Sequence, residues 1–263
     1  MIIEKTAGVP KYECHEYNPK SKDYVLLIPI INEGDRIKKE LNRAKKHSVS
    51  SYADIVICDG DSTDGCTVEE LLRSLDVNTL LIKKDTGKQG AQLRMGISWA
   101  LSRGYKGIVT IDGNNKDSIE DVPKFIDKLE NGYDFVQGSR FIKGGRAINT
   151  PFSRTVAVRL IHAPVISLTA RHRFTDTTNA FRAYSKKYLE DGRVKPLRDI
   201  FMTYELLAYL SVRATQIGMK ACEVPVTRAY PKKGKTPTKI SPIKGNAELM
   251  KILFRNALGK YNP

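Results

Sequence analysis

Three short segments of this 263-residue chain concentrate carboxylates, amides and glycines: Pro29-Ile-Ile-Asn-Glu33, Asp59-Gly-Asp-Ser-Thr-Asp-Gly65 and Asp112-Gly-Asn-Asn-Lys-Asp117. Carboxylates such as Asp59 and Asp61 accept hydrogen bonds from base N–H groups or ribose hydroxyls, and a divalent cation held by the Asp112 loop would neutralise phosphates. A fourth segment, Thr86-Gly-Lys-Gln-Gly-Ala-Gln-Leu-Arg-Met-Gly96, has glycines that admit close backbone approach and a lysine, Lys88, suited to a phosphate or a base. The set suits a ligand with a base-and-ribose end and a diphosphate end. Each cluster taken singly also reads as an ordinary turn, because Asp, Asn, Ser and Gly tolerate left-handed backbone and bond their own main chain.

The elements between these segments decide whether they meet. Tyr24–Ile30 reads as a buried strand, Asp35–Lys46 as a charged helix with Ile37, Leu41 and Ala44 on one face, and 54–58 as the next strand. Thr67 with Glu70 has the spacing of a capping box. A strand at 78–83, a helix at Gln89–Ser102 and a strand at 107–111 follow, then a helix capped by Ser118 and Asp121 and a strand at 133–137. Strands alternating with helices indicate a mostly parallel α/β sheet with helices on both faces, in which ligands bind beyond the carboxyl ends of the strands. Each acidic segment follows such a strand.

Lys and Arg number 44 against 29 Asp and Glu, a formal charge of +15, which favours an anionic partner. The surplus is polarised: residues 137–187 hold ten basic residues against Asp176 alone, and residues 228–263 hold nine against Glu248 alone. A nucleic-acid-binding α/β protein is the alternative from another class, but it would interleave aromatics with its basic residues. Here aromatics are dispersed and acidic loops line the ligand edge, so no nucleic-acid partner is expected. No apolar stretch approaches the ~20 residues of a membrane span, and Glu4, Lys5, Lys11, Glu13 and Glu16 leave no room for a secretory leader. Four cysteines without metal or disulfide spacing fit a reducing cytosol. Segment 231–239 reads as a basic loop. Segments 154–170 and 246–258 read as helices whose apolar faces either pack on the domain or lie on a bilayer.

The ordered set of Ile28-Pro-Ile-Ile-Asn-Glu33, Asp59 to Gly65, the Gly87 to Gly96 loop and helix, Ile111-Asp-Gly-Asn114, Gly138-Ser-Arg140 and Asp176-Thr-Thr-Asn-Ala-Phe-Arg182 resembles family 2 glycosyltransferases, most closely the polyprenyl-phosphate (dolichol-phosphate mannose synthase-like) branch. The resemblance implies a GT-A fold at 23–227, between an N-terminal extension at 1–22 and a basic loop with an amphipathic helix at 228–263. It implies an inverting transfer from a nucleoside-diphosphate sugar to a polyprenyl phosphate or membrane-linked glycan, at the cytoplasmic face of a membrane. A sugar hydroxyl of a soluble or polysaccharide acceptor is the alternative.

Residue by residue, the resemblance places Pro29, Asn32, Glu33, Asp59, Asp61, Lys88, Asp112 and Gly113 around the donor nucleotide. It places Asp112 and Asn114 as ligands of Mg²⁺ or Mn²⁺, and Arg140, Arg182, Arg228 and Lys239 on the acceptor phosphate. Asp176, with Glu205 as the weaker candidate, would be the base for a hydroxyl acceptor, whereas a phosphate acceptor needs none. The chain departs from the family's Asp-x-Asp pattern at Asn114, and Lys116 stands where the closest branch often has Gln. Lys116 is therefore either a partial substitute for the metal or a solvated side chain.

Overall fold

Tyr24–Ile30 is apolar at every position because its strand is covered on both faces: Val25 and Leu27 enter one core, and Leu26, Ile28 and Ile30 the other. The computed structural model describes residues 1–232 and 244–263. Its strands are β1 (Ile2–Ile3), β2 (Tyr12–Glu16), β3 (Tyr24–Ile30), β4 (Ala53–Asp59), β5 (Val77–Lys83), β6 (Gly107–Thr110), β7 (Phe135–Ser139), β8 (Arg146–Ile148), β9 (Arg182–Ser185), β10 (Ala221–Pro225) and β11 (Thr227–Ala229). Its helices are α1 (Asp35–Lys46), α2 (Glu69–Ser74), α3 (Gln89–Ser102), α4 (Val122–Glu130), α5 (Phe152–Ala157), α6 (Ala163–Ala170), α7 (Lys186–Glu190), α8 (Glu205–Gln216) and α9 (Lys244–Ala257).

Nine strands form one sheet in the order β1-β2-β5-β4-β3-β6-β9-β7-β10, and β8 pairs with β11 in a separate ribbon. β3 runs parallel to β4 and β6, β4 to β5, and β7 to β10, while β2 and β9 run antiparallel to their neighbours. One core gathers the apolar residues of α3, α6, α8 and α9, and the other those of α1, α2 and α4. This is the layered α/β architecture expected from the alternating pattern.

Four local expectations are corrected. Residues 1–22 are not an extension outside the domain: β2 adds a strand to the sheet beside β5, with Val9, Tyr12 and Cys14 buried. Thr67 does not cap a helix, since α2 starts at Glu69 after Val68 with no side-chain cap, and Glu70 lies within its first turn. Ser118 and Asp121 bond to each other, but at a 3-10 turn that precedes α4. The helix expected at 154–170 is α5 and α6 joined by a π-helical turn, Val158–His162, just ahead of Pro164, whose missing N–H cannot bond the preceding turn. α9 packs on the domain: Ile252 and Leu253 are buried, and the Asn256 side-chain amide donates to the Ala208 carbonyl at 2.9 Å.

Candidate active site

Register brings the acidic segments together. Ile30 pairs with Asp59 across β3 and β4, and Leu27 with Thr110 across β3 and β6, so residues 31–33, 60–65 and 112–117 leave the same edge of the sheet. The first two loops are stitched to one another. The Thr63 N–H donates to Asn32 Oδ1 at 2.8 Å, the Asn32 N–H to Ser62 Oγ at 2.9 Å, and the Gly34 N–H to Asp64 Oδ2 at 2.8 Å. Asp59 lies beneath them and accepts from the Ser62 N–H (2.8 Å) and hydroxyl (2.5 Å); burial pushes its carboxyl up, opposed by those bonds.

Asp59 therefore shapes the loop, whereas Asp61 is exposed in left-handed backbone (φ 76°) with Lys84 at 2.8 Å. Glu33 holds Arg36 at 2.6 Å. Lys88 is exposed just ahead of α3, its backbone N–H donating to the Met202 carbonyl at 2.8 Å. Pro29 is buried within β3. Gly113 has no room for a side chain, because a Cβ there would collide with Ile30, so the loop lies directly on β3.

The third loop carries a charged centre. Asp112 Oδ1 accepts from Gln89 Nε2 at 2.8 Å, and Asp112 Oδ2 faces Arg228 Nη2 at 3.3 Å and Asn114 Nδ2 at 3.4 Å. Arg228 also pairs with the fully buried Asp117. Burial alone would raise the Asp112 pKa, but Arg228 and Lys116 outweigh it and hold the carboxyl below its usual range.

Lys116 is not a solvated side chain. It is 6% exposed, with its ammonium 5.2 Å from the Tyr230 ring centre, and burial followed by the neighbouring Arg228 pushes its pKa down to about 8. Tyr230 gathers three cations: Lys116, Arg228 at 5.9 Å and Arg154, which donates to the phenol oxygen at 2.9 Å. Burial pushes the phenol up, yet Arg228, Arg154 and Lys116 together bring it below the ordinary tyrosine value, as expected in a positive field.

The residues at the Asp112 motif do not fit a hard divalent cation. Such an ion takes about six oxygen ligands rich in carboxylates. Alternate positions 112, 114 and 116 here supply one carboxylate, one amide and one ammonium. No group of three His, Cys, Asp or Glu side chains able to hold a metal occurs among the described residues.

Several expected acceptor-side residues have other tasks. Asp176 is completely buried and accepts from Arg140 Nε at 2.6 Å, Nη2 at 2.8 Å and its backbone N–H at 3.2 Å. A carboxylate closed by a guanidinium fork and removed from water is not placed to take a substrate proton, and Arg140 has no fork left for a phosphate. Arg182 is also buried, bonding the carbonyls of Asn179 (2.8 Å), Thr177 (2.9 Å) and Leu207 under α8. Glu205 caps its own turn through the Thr203 N–H (2.6 Å) and hydroxyl (2.8 Å). Lys239 lies outside the described residues.

Arg228 thus stands at the site, joined by Gln89, Asp117, Arg154 and Tyr230, which the sequence reading did not single out. Three of these had a visible signal: Asp117 ends the third acidic segment, Gln89 sits inside the glycine-rich segment, and Tyr230 follows Arg228 at the two-residue spacing that places side chains on one face of a strand. Beyond Arg154, the α5–α6 segment presents Phe152, Leu160 and Leu168 to solvent, 71–83% exposed. No helix among the described residues is long and apolar enough to cross a membrane.

The fold is that of glucosyl-3-phosphoglycerate synthase from Mycobacterium tuberculosis, whose complex with Mn²⁺, UDP and phosphoglyceric acid superposes with a TM-score of 0.63 at 14% identity, covering 90% of this chain and 78% of that one. In sequence, the chain is 27% identical over 214 residues to a polyprenol monophosphomannose synthase of Mycolicibacterium smegmatis, covering 77% of this chain and 76% of that protein. It is 26% identical over 222 residues to a dolichol-phosphate mannosyltransferase of Pyrococcus furiosus, covering 81% of this chain and 58% of that protein. An undecaprenyl-phosphate mannosyltransferase of Micrococcus luteus is 27% identical over 206 residues, with 76% and 81% covered. The model of glycosyl transferase family 2 matches residues 25–193, the span that carries every acidic loop of this edge, and the chain belongs to that family as a GT-A glycosyltransferase.

Proposed function

We propose that this glycosyltransferase moves a sugar from a nucleoside-diphosphate donor to the phosphate of a polyprenyl lipid at a membrane surface. The observation that carries this reading is that both carboxylates suited to deprotonate a hydroxyl, Asp176 and Glu205, are consumed by local bonds, while Lys116, Arg154 and Arg228 crowd around Tyr230. A phosphate nucleophile is already anionic at neutral pH, so it requires cations and no base. The related sequences are named as mannosyltransferases acting on polyprenyl-type phosphates, which supports the same class.

The donor nucleotide lies over the edge where Asn32, Asp61 and Lys88 are exposed, with Glu33 and Asp59 buried beneath it. Its diphosphate is directed to the Asp112 centre. An acceptor phosphate oxygen attacks the anomeric carbon from the face opposite the diphosphate; the new C–O bond forms as the bond to the leaving diphosphate breaks, inverting the configuration. Side chains of the chain hold both anions in line, which is where most of the acceleration of such a displacement arises. The polyprenyl chain runs along the apolar face of Phe152, Leu160 and Leu168 next to Arg154, seated in the bilayer surface.

The test is transfer from a panel of labelled nucleotide sugars to polyprenyl phosphate, polyprenol and 3-phosphoglycerate in parallel. A lipid-extractable, acid-labile glycosyl phosphate formed only with the polyprenyl phosphate is expected. Transfer to polyprenol, or to phosphoglycerate alone, would overturn the reading.

A further inference from the structure

We infer that Lys116 and Arg228 take the place of a divalent cation at the Asp112 centre, so that this chain binds its nucleoside diphosphate without metal. The inference rests on the donor reading above and concerns the means by which that site accommodates the diphosphate.

Both oxygens of Asp112 already face hydrogen-bond donors, from Gln89 on one side and from Arg228 and Asn114 on the other. A metal would have to displace them. At the second motif position, Asn114 brings no charge, and its Oδ1 lies 3.3 Å from the Lys116 backbone N–H, which donates to it. At the third, Lys116 brings a positive charge that would repel a dication.

The same arrangement favours an anion. Lys116 and Arg228 are 6% and 5% exposed, so their charges act through a poorly screening medium rather than bulk water. Arg154 adds a third cation through the Tyr230 hydroxyl, which makes three cations around this ring against Asp112 and Asp117. Desolvated cations preorganised at fixed positions can offset diphosphate charge as a bound ion would, without a binding step for the ion. Asp117 and Asp112 hold Arg228 in that position.

The experiment is calorimetric titration of the full chain with UDP, GDP, ADP, CDP and dTDP, once in EDTA and once in excess MnCl₂. At least one nucleotide is expected to bind with affinities that agree within about threefold between the two conditions. Lys116→Gln is expected to weaken binding in EDTA by about tenfold or more. The double variant Asn114→Asp/Lys116→Gln, which supplies the missing carboxylate and removes the cation, is expected to bind Mn²⁺ visibly by electron paramagnetic resonance and to need it for nucleotide binding. Wild-type binding that requires Mn²⁺ would overturn the inference and leave the donor reading standing. Absence of binding by all five nucleotides in both conditions would overturn the donor reading and this inference with it.

Discussion

Two of the buried arginine–carboxylate centres, Arg140 with Asp176 and Arg228 with Asp112 and Asp117, differ in how far they are closed. In the first, Arg140 and Asp176 close on each other through a two-point fork, 1% and 0% exposed, and nothing approaching from outside can share the pair. In the second, Arg228 divides its fork between Asp117 and Asp112; Asp112 keeps 21% of its side chain exposed, and Lys116 adds a further positive charge. The first has spent its charge on the fold. The second keeps part of a carboxylate at the surface beside two buried cations, which is the condition for acting on a ligand.

Breaking the open centre is expected to have the largest effect. Arg228→Lys keeps the charge but loses the fork that reaches two carboxylates, and should cut turnover by about 100-fold. A steady-state assay with near-wild-type activity would dissolve the distinction between the two centres. Removing half of the closed pair should act on stability instead. Arg140→Ala leaves a buried carboxylate without a partner and should cost about 3–5 kcal/mol in chemical denaturation, while Arg140→Met with Asp176→Leu should recover much of that loss.

The apolar face next to Arg154 sharpens the comparison from outside. Replacing Phe152, Leu160 and Leu168 together by Ser should weaken sedimentation with anionic vesicles by about tenfold or more, since each apolar side chain buried contributes roughly 1.5–3 kcal/mol. Nucleotide binding should not change. Loss of nucleotide binding with vesicle binding intact would place that face in the donor site.

The smallest effect concerns Glu40, buried under the open centre. Burial, with Asp117 and Asp112 nearby, raises its pKa well above the usual value. The folded chain therefore keeps a proton that the unfolded chain releases once pH passes its ordinary range, and stability falls as pH rises beyond it. Glu40→Gln lacks this cost, so its Tm advantage over wild type should grow by a few degrees between pH 5 and pH 8. An advantage independent of pH would contradict the shift.

The division between the two centres also marks what the sequence makes legible. β3, α1 and α3 begin and end where their patterns place them, because buried runs and one-sided apolar stripes are local properties. The convergence of the acidic loops on one sheet edge was legible for the same reason: each loop follows a strand, and parallel strands align their ends. β2 was not legible, since five residues of mixed character show no period until β5 supplies a partner. Nor was the role of Asp176. Its partner Arg140 is 36 residues away, and the spacing says nothing of whether a carboxylate meets a guanidinium or a substrate. Arg154 and Tyr230 meet across 76 residues, so the cation cluster exists only in the folded chain.

The central claim is that the open centre performs the transfer while the closed one holds the fold. Asp112→Asn and Asp176→Asn, compared side by side for Tm and for turnover per folded molecule, test it most directly. The account predicts that Asp176→Asn lowers Tm by on the order of 10 °C yet retains turnover per folded molecule to within a few-fold. It predicts that Asp112→Asn loses about 100-fold in turnover with less than half that change in Tm. The reverse result, with Asp176→Asn folded and inactive and Asp112→Asn active, would contradict it and restore Asp176 as the base for a hydroxyl acceptor.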